Sequence, residues 1–377
     1  MKHPVLCLGI ESSCDETSAA VVDSDRNILS HIIYSQIPQH QKFGGVVPEL
    51  AARGHILALE DVVRRALADA GKTINDIDVI AATAGPGLIG GVIVGWMGAV
   101  GIAQATGKPL VAVNHLEGHA LVPRLTDDIA FPFLLLLASG GHTQILLVTG
   151  VGQYEIIGQT LDDSAGECYD KVAKMLGLGY PGGPAVDARA QAGDPSPQSG
   201  AAAGATRFKF PRPLCDKQGC DFSFSGLKTA ARTILEKFPS SGGVAAQADG
   251  EGLPPQSRIR ATAPLDGGQL DDFCASFQSA VVDVMENRLR NAMRDERVIA
   301  VSPGALVVAG GVAKNSAIRV MLERLAAEYN LQYAAPPLNL CTDNGAMIAW
   351  AGIENFLLGR IVTEPVAPRP RWPLTEL

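Results

Sequence analysis

The chain runs through the same order of elements twice, and that repeat narrows the folds open to it more than any single motif. The first copy opens with "VLCLGIESSCDETSAAVVD" and the second with "FLLLLASGGHTQILLVTG". Each is an apolar strand, a small polar turn and a second strand. A third strand follows in both, "NILSHIIYSQ" and "QYEIIGQTL", and then a helix, "PELAARGHILALEDVVRRALADAG" and "CASFQSAVVDVMENRLRNAM". Both copies close on strand, glycine turn, helix and strand. A three-strand meander followed by alternating helix and strand predicts a mixed sheet with helices on both faces. Two such copies predict an α/β protein with two similar lobes and a cleft between them.

A length of 377 residues is enough for two lobes with separate cores. Two stretches fall outside the repeat, residues 191–206 ("QAGDPSPQSGAAAGAT") and 239–269 ("PSSGGVAAQADGEGLPP…LDGG"). They lack periodicity and apolar residues to bury, so they read as flexible surface insertions. Val79 to Gly107 carries no charge and sets Gly87, Gly91 and Gly95 four apart, a membrane-like spacing. Its Gly-Pro-Gly breaks the run into strand, turn and helix, and neither half is expected to span a bilayer. The apolar run near the N-terminus is too short for a secretory signal, and the seven cysteines form no dense framework, so a cytoplasmic location with reduced thiols is expected. Cys215 and Cys220 are four residues apart around "DKQG" with no second pair, and read as unrelated thiols. A net charge of −8 argues against a chain that holds nucleic acid by itself, since phosphate binding rests on Lys and Arg. It leaves room for local basic patches or a partner that helps.

The stretch "VNHLEGHALVPRL" places His115 and His119 one helical turn apart, directly after the strand-like "PLVAV". Positions i and i+4 share a helix face, so both imidazoles can address one metal ion. The metalloprotease pattern H-E-x-x-H puts its glutamate immediately after the first histidine. Here Glu117 sits two residues on, roughly 200° round the helix, and faces away from such an ion. That geometry removes the protease reading. A third ligand must come from elsewhere, and Asp343 stands ahead of the apolar helix in "LCTDNGAMIAWAGIENFLLG", where plain N-capping is its competing duty. Two imidazoles and a carboxylate leave coordination positions open and suit Fe(II) or Zn.

Four glycine-rich turns, "ASGGHT", "AGPGLIGG", "YPGGP" and "AGGVAKNS", sit at strand ends or helix starts over both copies. Such turns expose backbone N–H groups to phosphate, which points to a nucleotide-like ligand in the cleft. Neither the P-loop nor the dinucleotide-binding glycine pattern is present. Asp170, Asp187 and Asn315 lie near these turns and offer polar groups for ribose, amine or base, with turn or capping duty as the plainer alternative for each.

Taken together, "GIESSCDETS", "GGVVPELAARGH", "AGPGLIGG", "NHLEGH", "LLASGGHTQ", "DDSAGECYDKVAKMLGLGYPGGP", "FPRPLCDKQGCDFSFSGLKTA", "GGVAKN", "CTDNGAMIAWAG" and "RPRWPL" resemble the tRNA N6-adenosine threonylcarbamoyltransferase family (TsaD), long mislabelled as an O-sialoglycoprotein endopeptidase. The resemblance covers nearly the whole chain outside the two insertions. It implies a duplicated actin-like fold of the sugar kinase/Hsp70 type. Residues 1–130 would form the first lobe, completed by a C-terminal helix at about 344–377, and residues 131–343 the second. It implies transfer of a threonylcarbamoyl group from threonylcarbamoyl-adenylate to N6 of adenosine 37 in tRNAs that read codons beginning with A, with AMP leaving. The family's metal ligands fall on His115, His119 and Asp343. Its substrate contacts fall on Leu137, Ala138, Ser139, Gly140 and Gly141, and on Asp170, Gly183, Asp187 and Asn315. Backbone N–H groups of Ser139, Gly140 and Gly141 would then cradle developing negative charge. Fe(II), with Zn as the alternative, and an ATP- or AMP-like nucleotide are the implied cofactors. The implied partners are tRNA, a TsaB paralogue, a TsaE ATPase and a TsaC-type synthase that makes the donor, with no membrane. Arg207, Lys209, Arg212 and Lys228 are the candidate RNA-facing cations. A sugar kinase or actin-like ATPase shares the expected fold but pairs its first hairpin with an Asp-rich Mg-ATP site, where this chain has "ESSCDE". A non-enzymatic scaffold would survive loss of both histidines.

Overall fold

The computed structural model describes residues 3–195, 208–237 and 265–377. The first copy runs β1 (Leu6–Glu11), β2 (Glu16–Asp23), β3 (Ile28–Ser35), α1 (Ile37–Gln41), α2 (Pro48–Asp69), β4 (Val79–Gly85), α3 (Ile89–Thr106), β5 (Leu110–Asn114) and α4 (His115–Asp127). The second runs β6 (Phe133–Ala138), β7 (Thr143–Gly150), β8 (Gln153–Gln159), α5 (Ala165–Leu176), α6 (Gly182–Ala190), α7 (Ser225–Glu236), α8 (Gly267–Ala292), α9 (Glu296–Val301), β9 (Ala305–Ala309), α10 (Ser316–Glu328), β10 (Gln332–Ala334) and α11 (Gly345–Leu357).

The two sheets have five strands each, ordered β3-β2-β1-β4-β5 and β8-β7-β6-β9-β10. Element for element these are the same sheet. In both, the first three strands are antiparallel and the next two pair parallel. The central strands β1, β4, β6 and β9 are almost wholly buried, which explains their unbroken apolar sequences: a strand covered on both faces has no polar side to alternate. This is the actin-like duplicated α/β fold expected from the repeat. The second copy differs by its extra helices α5, α6, α7 and α9 between β8 and β9, which the repeat did not foreshadow.

Of the two helices that close the copies, α11 returns to the first sheet, while α4 lies between both sheets, with Leu121, Val122 and Leu125 packed among Cys7, Val79 and Val111 of the first. α11 packs on β1, β2 and β4 of the first sheet, whereas Leu116 and Ala120 of α4 pack with Phe133, Leu135, Ala305 and Val307 of the second. α4 and α11 also pack on each other, so the ends of the two sheets meet where these helices begin.

Three readings of the sequence need correcting. α3 is an 18-residue apolar helix, long enough to cross a membrane by length and composition. One face of it is packed against the protein: it lies on α2 and β4, Trp96 is buried, and a Cβ at Gly91 or Gly95 would collide with Ser12. The four-residue glycine spacing therefore lets the "ESSCDE" turn approach the helix, with Ser12 Oγ donating to the Gly91 carbonyl at 2.9 Å. Second, the insertions are shorter than the composition suggested. Gln191 caps α6, and α8 begins at Gly267 with Asp266 and Gln269 in a reciprocal capping box. Residues 196–206 and 239–264 lie outside the described residues. Third, Asp343 does not cap α11. Asn344 does, accepting from Met347 N–H at 2.9 Å. The neighbouring Asp343 carboxylate is thereby released from that duty.

Candidate metal centre

α4 starts where it does because Asn114 caps it, accepting from the N–H groups of Leu116 and Glu117. His115 is thus the first helical residue and His119 lies one turn on, both buried. Their Nε2 atoms reach Asp343 Oδ1 at 3.4 Å for His115 and 3.2 Å for His119. The ligand atoms of His115, His119 and Asp343 lie within 4.8 Å of one another, with the rings edge to face.

The arrangement fits a metal ion in its supporting contacts as well as in its ligands. His115 Nδ1 is held by Glu11 Oε2 at 2.9 Å, and Ser13 Oγ lies 3.1 Å away. Glu11 is fully buried and also accepts from Thr83 Oγ1 at 2.6 Å. A carboxylate on one imidazole nitrogen, leaving the other to face an ion, is how proteins orient ligating histidines. His119 Nε2 faces Asp343, while its Nδ1 is buried with no hydrogen-bond partner among the described residues, so only His115 has an orienting carboxylate behind it. Asp343 keeps about a fifth of its side chain exposed, which leaves an approach from the cleft.

Charges in the site are strongly linked. Burial by itself would lower the His115 imidazole, but the carboxylates of Glu11 and Asp343 overcome it and raise its pKa well above the ordinary value. Burial likewise opposes ionisation of Asp343, yet the charge of His115 and hydrogen bonds from both histidines hold it well below the carboxylate range. His142 is pushed down to about 4, first by burial and then by His115 and His119, so it stands neutral beside the pair. Glu16 is pushed up to about 10 by burial, Asp343 and Asp15. Glu11, Glu16 and His142 all lie inside quoted motifs, but nothing in their spacing marked them. Only the fold brings them to the histidines.

The other predicted residues form a second, connected neighbourhood on the second sheet. Leu137 and Ala138 end β6 and are buried. Ser139 to Gly141 form the following turn, pinned by Ser164 Oγ on the Gly140 carbonyl at 2.6 Å. A Cβ at Gly140, Gly141 or Gly183 would meet open space, so these backbones are not covered by neighbouring atoms. Asp170 accepts from Gly182 N–H at 2.7 Å, next to Gly183. Asp187 accepts from Gln278 Nε2 at 3.0 Å and Ser316 Oγ at 2.9 Å. Asn315 caps α10 through Ile318 N–H and donates to Gln278 Oε1 at 2.7 Å. The capping and turn duties weighed for Asp170, Asp187 and Asn315 are thus present. One detail differs from expectation: the Ser139 N–H donates to the His142 carbonyl at 2.8 Å. Only Gly140 and Gly141 keep backbone donors for a ligand in that turn.

Among the candidate RNA-facing cations, Arg212 is paired with Asp283 and Lys228 with Asp163, each at under 3 Å, so neither offers an unshared charge. Lys209 is exposed, and Arg207 lies outside the described residues. Cys215 and Cys220 are free thiols.

The folded chain is a two-lobed actin-like protein with two imidazoles and a carboxylate gathered where its lobes meet. A family model described as TsaD, tRNA N6-adenosine threonylcarbamoyltransferase, matches residues 27–350. Proteins of that name from Paramagnetospirillum magneticum and Rhodospirillum rubrum are 54% identical over 370 residues and 52% identical over 379 residues. The alignments cover 98% and 99% of this chain and 97% and 96% of those proteins. Among solved structures, HypF of T. kodakarensis superposes with a TM-score of 0.54 at 15% identity, over 95% of this chain and 49% of its own, a likeness of fold. The chain belongs to the tRNA N6-adenosine threonylcarbamoyltransferase family. It is a transferase, and its reaction is that of the family: threonylcarbamoylation of N6 of adenosine 37 in tRNA.

Proposed function

We propose that His115, His119 and Asp343 hold one divalent transition metal, Fe(II) or Zn, and that the neighbouring turns of the second sheet hold threonylcarbamoyl-adenylate beside it. The convergence of those three side chains within 4.8 Å, from segments more than two hundred residues apart, is the observation that carries this reading. When bound, such an ion supplies Lewis-acid charge and a fixed template for oxygen atoms. Glu11 keeps His115 turned so that Nε2 faces the site. On the other side, the N–H groups of Gly140 and Gly141 are placed to stabilise charge that develops on the donor. Asp170, Gly183, Asp187 and Asn315 position the nucleotide half, with Leu137, Ala138 and Ser139 shaping the turn beneath it. The donor is already an activated anhydride with AMP as a good leaving group, so positioning is the main task. Holding the adenine N6 within attack distance is worth up to ~7–11 kcal/mol in favourable cases.

The division of labour follows the two sheets. Residues 1–130 with the C-terminal segment from 344 form the lobe that carries the histidines, and residues 131–343 the lobe that carries the nucleotide turns and Asp343. Base 37 must be presented unstacked, as for other enzymes that act on a base. With Arg212 and Lys228 already paired, tRNA binding by this acidic chain relies on help from partners, in keeping with a TsaB paralogue and a TsaE ATPase. A TsaC-type synthase would supply the donor. Ile89, Ile93 and Met97 form an exposed apolar stripe on α3 next to exposed Ile56 and Leu57 of α2, which supports a protein partner for the first lobe. A cytoplasmic location follows from the substrate.

The test combines tRNA, threonylcarbamoyl-adenylate and the partner proteins and reads modified adenosine by mass spectrometry. The wild-type chain is expected to form it and Asp343→Ala to form none. Undiminished product from Asp343→Ala would overturn the metal reading while leaving the family assignment intact.

A further inference from the structure

Glu117 lies between the two histidines in sequence and faces away from them, yet it is buried and fully engaged. Its Oε1 accepts from the N–H of Gly152 at 3.0 Å and from the hydroxyl of Tyr154 at 2.9 Å. Its Oε2 accepts from Asn355 Nδ2 at 3.0 Å. Gly152 and Tyr154 belong to the β7–β8 hairpin of the second sheet, and Asn355 to the last turns of α11. One carboxylate therefore joins three elements: the helix that carries His115 and His119, the helix that follows Asp343, and the opposite lobe.

The surroundings leave little slack. A Cβ on Gly118 would press on Met347 and Ile348, so α4 and α11 are in close contact one residue from Glu117. Asn355 Nδ2 also donates to Ala351 O at 2.9 Å, and Arg360 lies across Gly152, which sits in the left-handed backbone region at φ +68°. Every donor around the carboxylate is thus itself fixed. Burying a carboxylate is costly, and a polar link of this kind specifies one register where apolar packing alone would tolerate several.

We propose that Glu117 is a positioning residue of the metal centre: by tying α4 to both α11 and the β7–β8 hairpin, it sets where the two imidazoles stand relative to Asp343. This inference rests on the metal reading above. It requires that loss of the link weaken metal binding in chain that remains folded. A merely structural role would lower stability and leave the affinity of the folded fraction unchanged.

The experiment titrates Zn(II) into metal-free protein against a chromophoric chelator and records thermal unfolding of the same samples. Glu117→Gln keeps the shape but turns an amide NH2 toward the NH2 of Asn355. We expect its dissociation constant to rise about tenfold, the low end of the cost of disturbing groups behind metal ligands. Adding Asn355→Asp restores a donor–acceptor pair at this contact while giving up the bond to Ala351 O, and should recover part of that loss. Tyr154→Phe removes a single bond at the periphery and should weaken binding less, so it serves if Glu117→Gln does not fold. Wild-type affinity in folded Glu117→Gln, or in Tyr154→Phe where that is the variant available, would overturn the inference. If the wild-type chain itself binds no Zn(II), or if Asp343→Ala binds it equally well, the metal reading fails instead.

Discussion

The starts of α4 and α11 occupy matching places in the two copies, one after β5 and the other after β10, and each is capped by an asparagine. Both side-chain oxygens accept from the first turn, Asn114 from Leu116 N–H at 2.9 Å and Glu117 N–H at 3.4 Å, Asn344 from Met347 N–H at 2.9 Å. The residues beside them differ. His115 directly follows its cap and directs an imidazole into the junction, whereas Asp343 directly precedes its cap and directs a carboxylate there. Duplication thus supplies a symmetric pair of helix starts, and chemistry enters through the side chains placed next to the caps. The same contrast appears at the ends of β1 and β6. The first turn supplies Glu11 to orient a histidine, while the second supplies Gly140 and Gly141 with open backbone.

The largest expected effect comes from erasing the chemical half of this contrast. His119→Ala or Asp343→Ala removes one of three ligands and should weaken metal binding by more than the roughly hundredfold upper range for groups behind the ligands. Chelator competition measures it, and modification of tRNA should disappear with it. A smaller loss is expected for Glu11→Gln, about tenfold to a hundredfold in metal affinity, because the ligands remain but His115 is free to turn. Similar binding by Glu11→Gln and wild type would show that the first turn does not orient the site.

The structural half is tested through the caps. Asn114→Ala and Asn344→Ala should each cost about 1 kcal/mol of stability by denaturant unfolding. Asn344→Ala should be the costlier by a small margin, since its amide donates to both Leu340 O and Thr342 O in the loop that presents Asp343, where that of Asn114 donates to Trp372 O alone. Equal losses would mean that this loop adds nothing to the cap.

The smallest effect concerns α7, a helix with no counterpart in the first copy. Burial would raise Asp162, but bonds from Ser223, Phe224 and Ser225 outweigh it and hold the carboxyl below its ordinary value. A depressed folded value means that its contribution is present above the ordinary carboxylate range and fades as pH falls through the folded value. Asp162→Asn should therefore lower thermal stability modestly at neutral pH and leave it nearly unchanged at about pH 3, so that the acid limb flattens. An unchanged acid limb would show that the carboxylate does not secure α7.

Much of this was legible in the chain because repetition and apolar runs survive in one dimension. The matched order of strands gave away both sheets, and the spacing of His115 and His119 placed them on one helix face. The return of α11 to the first sheet was expected only from the family resemblance and not from the repeat, since it depends on which sheet an apolar face covers. Asp343 was found as a carboxylate near a helix start, but only the fold shows that Asn344 takes the capping bond. Glu11 escaped notice because nothing in its spacing marks a residue whose partner lies 104 positions on, and His142 because a strand separates it from the helix of the pair. Lys228 and Arg212 looked like free cations until Asp163 and Asp283 were seen beside them.

The most direct test of the account is the transition-metal content of purified protein, determined by mass spectrometry for wild type, His119→Ala and Asp343→Ala, each checked for folding. One ion per wild-type chain, lost in both variants, is the predicted result. Full metal content in either folded variant, or none in the wild type, would contradict it.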